Sequence, residues 1–231
     1  MSSSAATRSL QARGNSAKRV AIWVCVLGLP LLYEASVLLA GPRAYYGGDG
    51  SQWFAGLNVR LGLLAIGAAA IAWALWRSGE GLASLGWPRR LRWWEVALLA
   101  LTLAAAVALV FYRPPHVSPN VLKVSASTPV TLLERGWLVA LSLLEAVVQE
   151  TIWRGALITW LEPRLGTGGA VLVSVGSYVF FHPTFAFSWH TLLVGLPVAL
   201  LYTGLFLWRR SLGPCAYVHF LLTVGQLLSP V

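Results

Sequence analysis

The feature that most constrains this chain is a series of apolar blocks about as long as a bilayer's hydrocarbon core is thick. A helix needs roughly 20 residues to cross that core. Val20 to about Ala40 and Leu57–Trp76 both meet the requirement. Only 11% of the residues are charged while 57% are hydrophobic, against about a quarter charged in soluble domains, so an ordinary soluble globular fold is excluded. In lipid the backbone must satisfy its own hydrogen bonds, and long apolar runs do so as helices. The blocks therefore predict an all-α polytopic transmembrane helix bundle of about seven spans, within a range of about six to eight.

Residues 1–17, rich in Ser, Ala and Arg and lacking apolar periodicity, read as a mobile cytoplasmic tail, and residues 18–231 as a single membrane domain. The Val20–Ala40 run lacks the small-residue cleavage site of a signal peptide and reads as a first span. A Gly/Tyr-rich stretch over Gly41–Gly56 precedes the second span, Leu57–Trp76, where Arg60 near one end can snorkel. The loop from Arg77 to Trp94 interleaves arginines with tryptophans, which suits headgroup level. Further spans are expected at Glu95–Tyr112, Trp137–Trp160, Gly166–His182, about His190–Trp208 and Leu212–Leu228. A polar Arg113–Gly136 connection and an aromatic turn at Pro183–Trp189 lie between them.

The formal net charge of +9 comes from short basic clusters between the blocks. That is the pattern that orients membrane proteins and not a nucleic-acid footprint, so no nucleic-acid partner is expected. The positive-inside rule places the N-terminus in the cytoplasm. Cys25 and Cys215 both fall in apolar blocks without metal-type spacing, so neither a disulfide framework nor a zinc knuckle is expected. Arginine outnumbers lysine 15 to 2, a composition that leans toward a bacterial inner-membrane protein.

Ionisable residues inside such blocks are costly, at least about 2.5–3.5 kcal/mol for a charge at mid-membrane, and so mark function. The densest group is Glu145-Ala-Val-Val-Gln149-Glu150-Thr-Ile-Trp-Arg154-Gly155. Glu150 and Arg154, four apart with the acid first, share a helix face and can neutralise each other. Glu145 lies one turn before Gln149 and looks in nearly the same direction. His182 and His219 follow on separate blocks. A carboxylate beside a neutral histidine can hold a water and take its proton as it attacks a carbonyl, and a second histidine with a nearby amide or hydroxyl can stabilise the oxyanion. That equipment suffices for peptide hydrolysis without a cofactor. Zinc is the competing chemistry, because Glu150, His182 and His219 would make a three-ligand set with one position open.

The order Gln149-Glu-Thr-Ile-Trp-Arg-Gly, Tyr178-Val-Phe-Phe-His and His219-Phe-Leu-Leu-Thr on successive blocks resembles the CPBP family of CAAX-processing and bacteriocin-protection glutamic intramembrane proteases. That family's pattern is E-E-x-x-x-R-G, F-x-x-x-H and H-x-x-x-N. The likeness covers about residues 137–228, and Ser84-Leu-Gly-Trp-Pro-Arg-Arg resembles the short basic motif that precedes the family's core. The resemblance implies that His182 works with the first acid of the pair on the water, that Glu150 pairs with Arg154, and that His219 with Thr223 serves the oxyanion. Gln149 stands where the water-activating Glu belongs, and an amide cannot act as a base. Thr223 replaces Asn and offers a hydroxyl in place of an amide. Three compensations are open: Glu150 as base, Glu145 reaching the water from one turn away, or Gln226 supplying the amide.

The expected function is hydrolysis of a peptide bond in a membrane-anchored protein or its C-terminal tail, of CAAX or myxosortase-like sorting type, by water activated between Glu and His. The alternative is a catalytically degenerate scaffold or immunity-type binding protein of the same fold. The expected partners are the lipid bilayer and a membrane-anchored protein or peptide substrate.

Overall fold

The computed structural model describes residues 3–40, 50–88, 132–182 and 189–228, with isolated positions between 93 and 105. The described residues form helices and connecting turns, with no strand among them. The helices are α1 (Ser3–Trp23), α2 (Leu29–Ala40), α3 (Gly50–Ser78), α4 (Leu132–Glu150), α5 (Thr159–Phe180), α6 (Trp189–Arg209) and α7 (Leu212–Leu228). π-Helical stretches join α1 to α2 at Val24–Gly28 and α4 to α5 at Thr151–Ile158, and a short 3-10 turn covers Leu82–Leu85. Most of the expected third span, most of the Gly41–Gly56 stretch, most of the Arg113–Gly136 connection and the turn over residues 183–188 lie outside the described residues.

Two helical segments, Ala12–Ser36 and Val59–Ser78, are long and apolar enough to cross a membrane, and Gly195–Arg209 and Leu212–Thr223 are shorter apolar helices. Large apolar side chains point outward along these helices, along α5 and at the start of α6, among them Leu31 at 64%, Leu172 at 75% and Leu193 at 73% exposed. Exposure of this many large apolar side chains suits a lipid-facing shell.

Helicity begins at Ser3, so it runs through most of the segment that composition reads as a tail. The physical reason is a row of small residues. Ala17 and Ala21 are buried, and a Cβ at Gly14 would come within 2.9 Å of the Ser78 backbone at the end of α3. Small residues one turn apart allow this close helix approach.

The chain forms two compact units, each drawn from three separated segments. The first comprises residues 1–34, 63–88 and 148–215. Its core holds Cys25, Leu29, Leu64, Ile71, Ile152, Trp153, Leu157, Phe181, Tyr202 and Phe206. The π-helical stretch lies deepest, with every residue from Ile152 to Ile158 buried. Seven consecutive buried residues leave that stretch no exposed side. Gly155 permits the closest approach: a Cβ there would lie 2.9 Å from a Leu212 methyl and 3.1 Å from the Leu85 carbonyl. The Ser84-Leu-Gly-Trp motif is what docks at this point. Gly86, at φ 96°, ends the 3-10 turn, its carbonyl accepts from Leu212 N at 2.9 Å, and Trp87 Nε1 donates to Thr151 Oγ1 at 2.9 Å. The bend between the expected fourth and fifth spans falls at Gly166, whose φ of 69° interrupts α5 shortly after Pro163.

The second unit comprises residues 35–62, 89–147 and 216–231. Arg60, expected to snorkel toward the interface, is instead ion-paired through Nε with Glu145 Oε1 at 2.6 Å. Val139, Leu141, Ser142, Ala146, His219 and Phe220 are buried in this unit.

Candidate active site

The site residues of the first unit sit where a regular helix gives way to the wider i→i+5 pattern. Glu150 closes α4, and Arg154 lies within the π-helical stretch. Such insertions are rare and concentrate at functional sites. Gln149, Glu150 and Arg154 are all fully buried.

Arg154 is the hub. Its Nη1 donates to Glu150 Oε1 at 3.3 Å, and its Nη2 donates to the Ala199 carbonyl on α6 at 3.1 Å. The guanidinium carbon lies 4.4 Å from the centre of the Tyr178 ring and 5.2 Å from that of Tyr202. A desolvated cation over an aromatic face gains about 2 kcal/mol or more, so two rings and a carbonyl share with Glu150 the task of holding this charge. Thr203 Oγ1 also donates to the Ala199 carbonyl, at 2.8 Å.

The same Tyr178 reaches His182. Their ring centroids are 4.4 Å apart, and His182 Nδ1 donates to the Tyr178 carbonyl at 2.8 Å. That bond places the ring proton of a neutral imidazole on Nδ1 and makes Nε2 the basic nitrogen. Phe181 packs edge-on against His182 at 5.5 Å and stacks on Tyr33 at 5.2 Å. Trp153 completes the wall: it lies edge-on to Tyr178 at 5.3 Å, and its indole N–H donates to Ser177 Oγ at 3.0 Å. Ser174 Oγ donates to the Trp153 carbonyl at 2.6 Å, which ties the π-helical stretch to α5.

Of the residues singled out from sequence, the first unit thus links Glu150, Arg154 and His182 through Tyr178, with Gln149 buried beside Glu150. Glu145 belongs to the second unit, where Arg60 engages its carboxylate. His219 and Thr223 also belong to the second unit. His219 is buried, and Thr223 Oγ1 donates to the His219 carbonyl at 3.0 Å, an i to i−4 bond within α7. The side chain of Gln226 lies outside the described residues. Among the described residues no group of three His, Cys, Asp or Glu side chains gathers as a metal site, the zinc set included.

Sequence reasoning expected a span at about His190–Trp208 but gave it no part in the site. Ala199 and Tyr202 on α6 hold Arg154 as firmly as Glu150 does, yet the only signal was a single phenol in an apolar block. Tyr178 entered only as the first residue of the second motif, where the family pattern has Phe, although its ring is the link between cation and imidazole.

Residues 131–225 match the family model described as type II CAAX prenyl endopeptidase Rce1-like. Residues 131–225 thus form an Rce1-like domain of the CPBP family, a family of membrane-embedded proteases. The match spans all three motifs from Gln149 to Thr223 and both units. No curated protein and no solved structure gives a significant match.

Proposed function

We propose that this protein is an intramembrane endopeptidase that hydrolyses a peptide bond in a membrane-anchored protein or its C-terminal tail, of CAAX or sorting-tail type. The observation that carries the reading is the buried chain Glu150–Arg154–Tyr178–His182, in which one aromatic ring orients both the cation and the imidazole. His182 takes a proton from water at Nε2 while the water oxygen attacks the scissile carbonyl carbon, whose π electrons move to oxygen. Collapse of that oxyanion breaks the C–N bond, and the departing amine receives the proton from His182. Gln149, which cannot take a proton, orients the water through its amide oxygen. Glu150, held by Arg154, stabilises the transient imidazolium. The oxyanion role of His219 and Thr223 rests on the motif resemblance alone.

The topology that goes with this reading has about seven spans in a membrane domain running from Lys18 to Val231. Its N-terminus is in the cytoplasm and its C-terminus on the far side of a bacterial inner membrane. The basic clusters at the span ends and the arginine-rich composition support it.

The test is cleavage of a panel of membrane-anchored tail peptides at matched membrane levels of protein. Loss of cleavage in Glu150→Ala and His182→Ala, with Glu145→Ala retaining it, is the expected outcome. Loss in Glu145→Ala alone would move the base to that residue. A second reading, a degenerate binding protein, is favoured by one observation: the water-activating position holds the amide of Gln149. Activity that appears only on Gln149→Glu would establish it.

A further inference from the structure

Five arginines at one end of the first unit have no acidic partner among the described residues, and their setting points to a ligand. A chain of contacts collects them. Gly14 meets Ser78 at the end of α3, Lys18 pairs with Glu80, and Lys18 also lies 5.8 Å over the Trp160 ring. Arg164 donates to the Trp160 carbonyl at 2.9 Å, and Glu162 binds Arg210 with both oxygens, at 2.6 and 2.8 Å. This end therefore carries seven described cations, Arg13, Lys18, Arg19, Arg77, Arg164, Arg209 and Arg210, and two acids, Glu80 and Glu162. Both acids are consumed within the protein, by Lys18 and Arg210. Arg13, Arg19, Arg77, Arg164 and Arg209 are exposed, and none has an acidic partner among the described residues.

Two of these guanidinia rest on exposed indoles: Arg77 on Trp76 at 6.0 Å and Arg209 on Trp208 at 5.2 Å, with the tryptophans 72% and 75% exposed. Each Trp-Arg pair ends an apolar helix, at Val59–Ser78 and Gly195–Arg209. Exposed tryptophan at the end of an apolar helix sits at headgroup level, so the arginine beside it lies at the depth of lipid phosphates. No Lys or Arg occurs from Leu61 to Trp76 or from Leu165 to Trp208, which concentrates the charge at this rim.

We infer that this rim binds the phosphates of anionic phospholipids, with the Arg77–Trp76 and Arg209–Trp208 pairs as its anchors and Arg13, Arg19 and Arg164 between them. Lipid is favoured over an acidic protein because two of the guanidinia rest on exposed indoles at the ends of apolar helices, the setting of headgroup level. The Glu162–Arg210 clamp acts in the opposite sense: it withholds one cation and brackets the bend at Gly166, keeping Arg164 and Arg209 in place.

The experiment uses the full-length protein in phosphatidylcholine nanodiscs doped with phosphatidylglycerol, counting lipids retained by native mass spectrometry. Wild type is expected to enrich phosphatidylglycerol. The triple variant Arg77→Gln/Arg164→Gln/Arg209→Gln, checked for unaltered thermal unfolding, is expected to lose about a hundred-fold of that selectivity, each arginine near an anionic surface accounting for a factor of about five. Glu162→Gln, which releases Arg210, is expected to raise retention. Unchanged selectivity in the triple variant would overturn the inference, as would tighter binding of a soluble acidic peptide or of inorganic phosphate than of the lipid. The readout is independent of peptide cleavage, so it stands or falls apart from the protease reading.

Discussion

Two carboxylate–guanidinium pairs in the first unit differ in almost every respect. Glu162–Arg210, at the rim, is short and bidentate, with Thr167 Oγ1 adding a 2.6 Å bond to the same carboxylate. Glu150–Arg154, in the core, has one 3.3 Å bond and no exposed atoms. By geometry the rim pair is the better one, but by consequence the core pair matters more. Exposed pairs are screened by water and contribute about 0–1 kcal/mol. A buried pair nets little when intact, yet loss of one partner strands a desolvated charge at a cost of about 3–5 kcal/mol. The intact core pair therefore adds little to stability, and the Tyr178 ring under its cation is the one that also packs on His182.

The largest effect is expected from Arg154→Ala, which strands Glu150. Unfolding in detergent should show a loss of about 3–5 kcal/mol, and Glu150→Leu added to Arg154→Met should recover most of it. If the single variant were no worse than Glu162→Ala, the contrast between the two pairs would fail. Next comes Gly155→Ala, whose new methyl meets the Leu85 carbonyl and a Leu212 methyl. About 1–3 kcal/mol of destabilisation is expected from such overpacking, with Gly168→Ala, where nothing lies within 4 Å of the new methyl, as the unaffected control.

Tyr178→Leu removes the ring between Arg154 and His182 and should cost about 2 kcal/mol of stability from the lost cation–π contact, together with most of the cleavage. Tyr178→Phe keeps the ring and should retain both, so equal loss in the two would assign the role to the hydroxyl. The smallest effect belongs to the rim. Glu162→Gln should change stability by less than about 1 kcal/mol.

The rim pair has a definite pH signature. Hydrogen bonds from Arg210 and Thr167 lower the Glu162 carboxyl from its ordinary 4.5 to about 2. A carboxylate with a lowered folded-state pKa stabilises the fold fully above the unfolded value, and that contribution fades as pH falls from about 4.5 toward 2. Acid unfolding of wild type and Glu162→Gln should therefore converge in that window and differ slightly above it.

Much of this was legible in the primary structure because the relevant signals are local. The α7 boundaries expected from the apolar block, Leu212 and Leu228, are those observed, since a block bounded by Arg210 and Pro230 leaves little freedom. The Glu150–Arg154 pair followed from four-residue spacing. The same spacing argument assumed a regular helix and so passed over the π-helical widening at Thr151–Ile158, which answers to the burial of Trp153 and Arg154. Arg60 was misread because its partner, Glu145, lies 85 positions away in sequence.

By itself the sequence determined the apolar blocks, the helical class and the order of the three motifs, because hydropathy and helical period depend on neighbours along the chain. Only the tertiary structure decided which charges meet. Arg154 is held by Ala199 and Tyr202 from α6, Glu145 by Arg60, and Glu162 by Arg210, pairings set by which helix faces pack together. In a buried, low-dielectric setting those partners, more than the residue types themselves, decide what each charge can do.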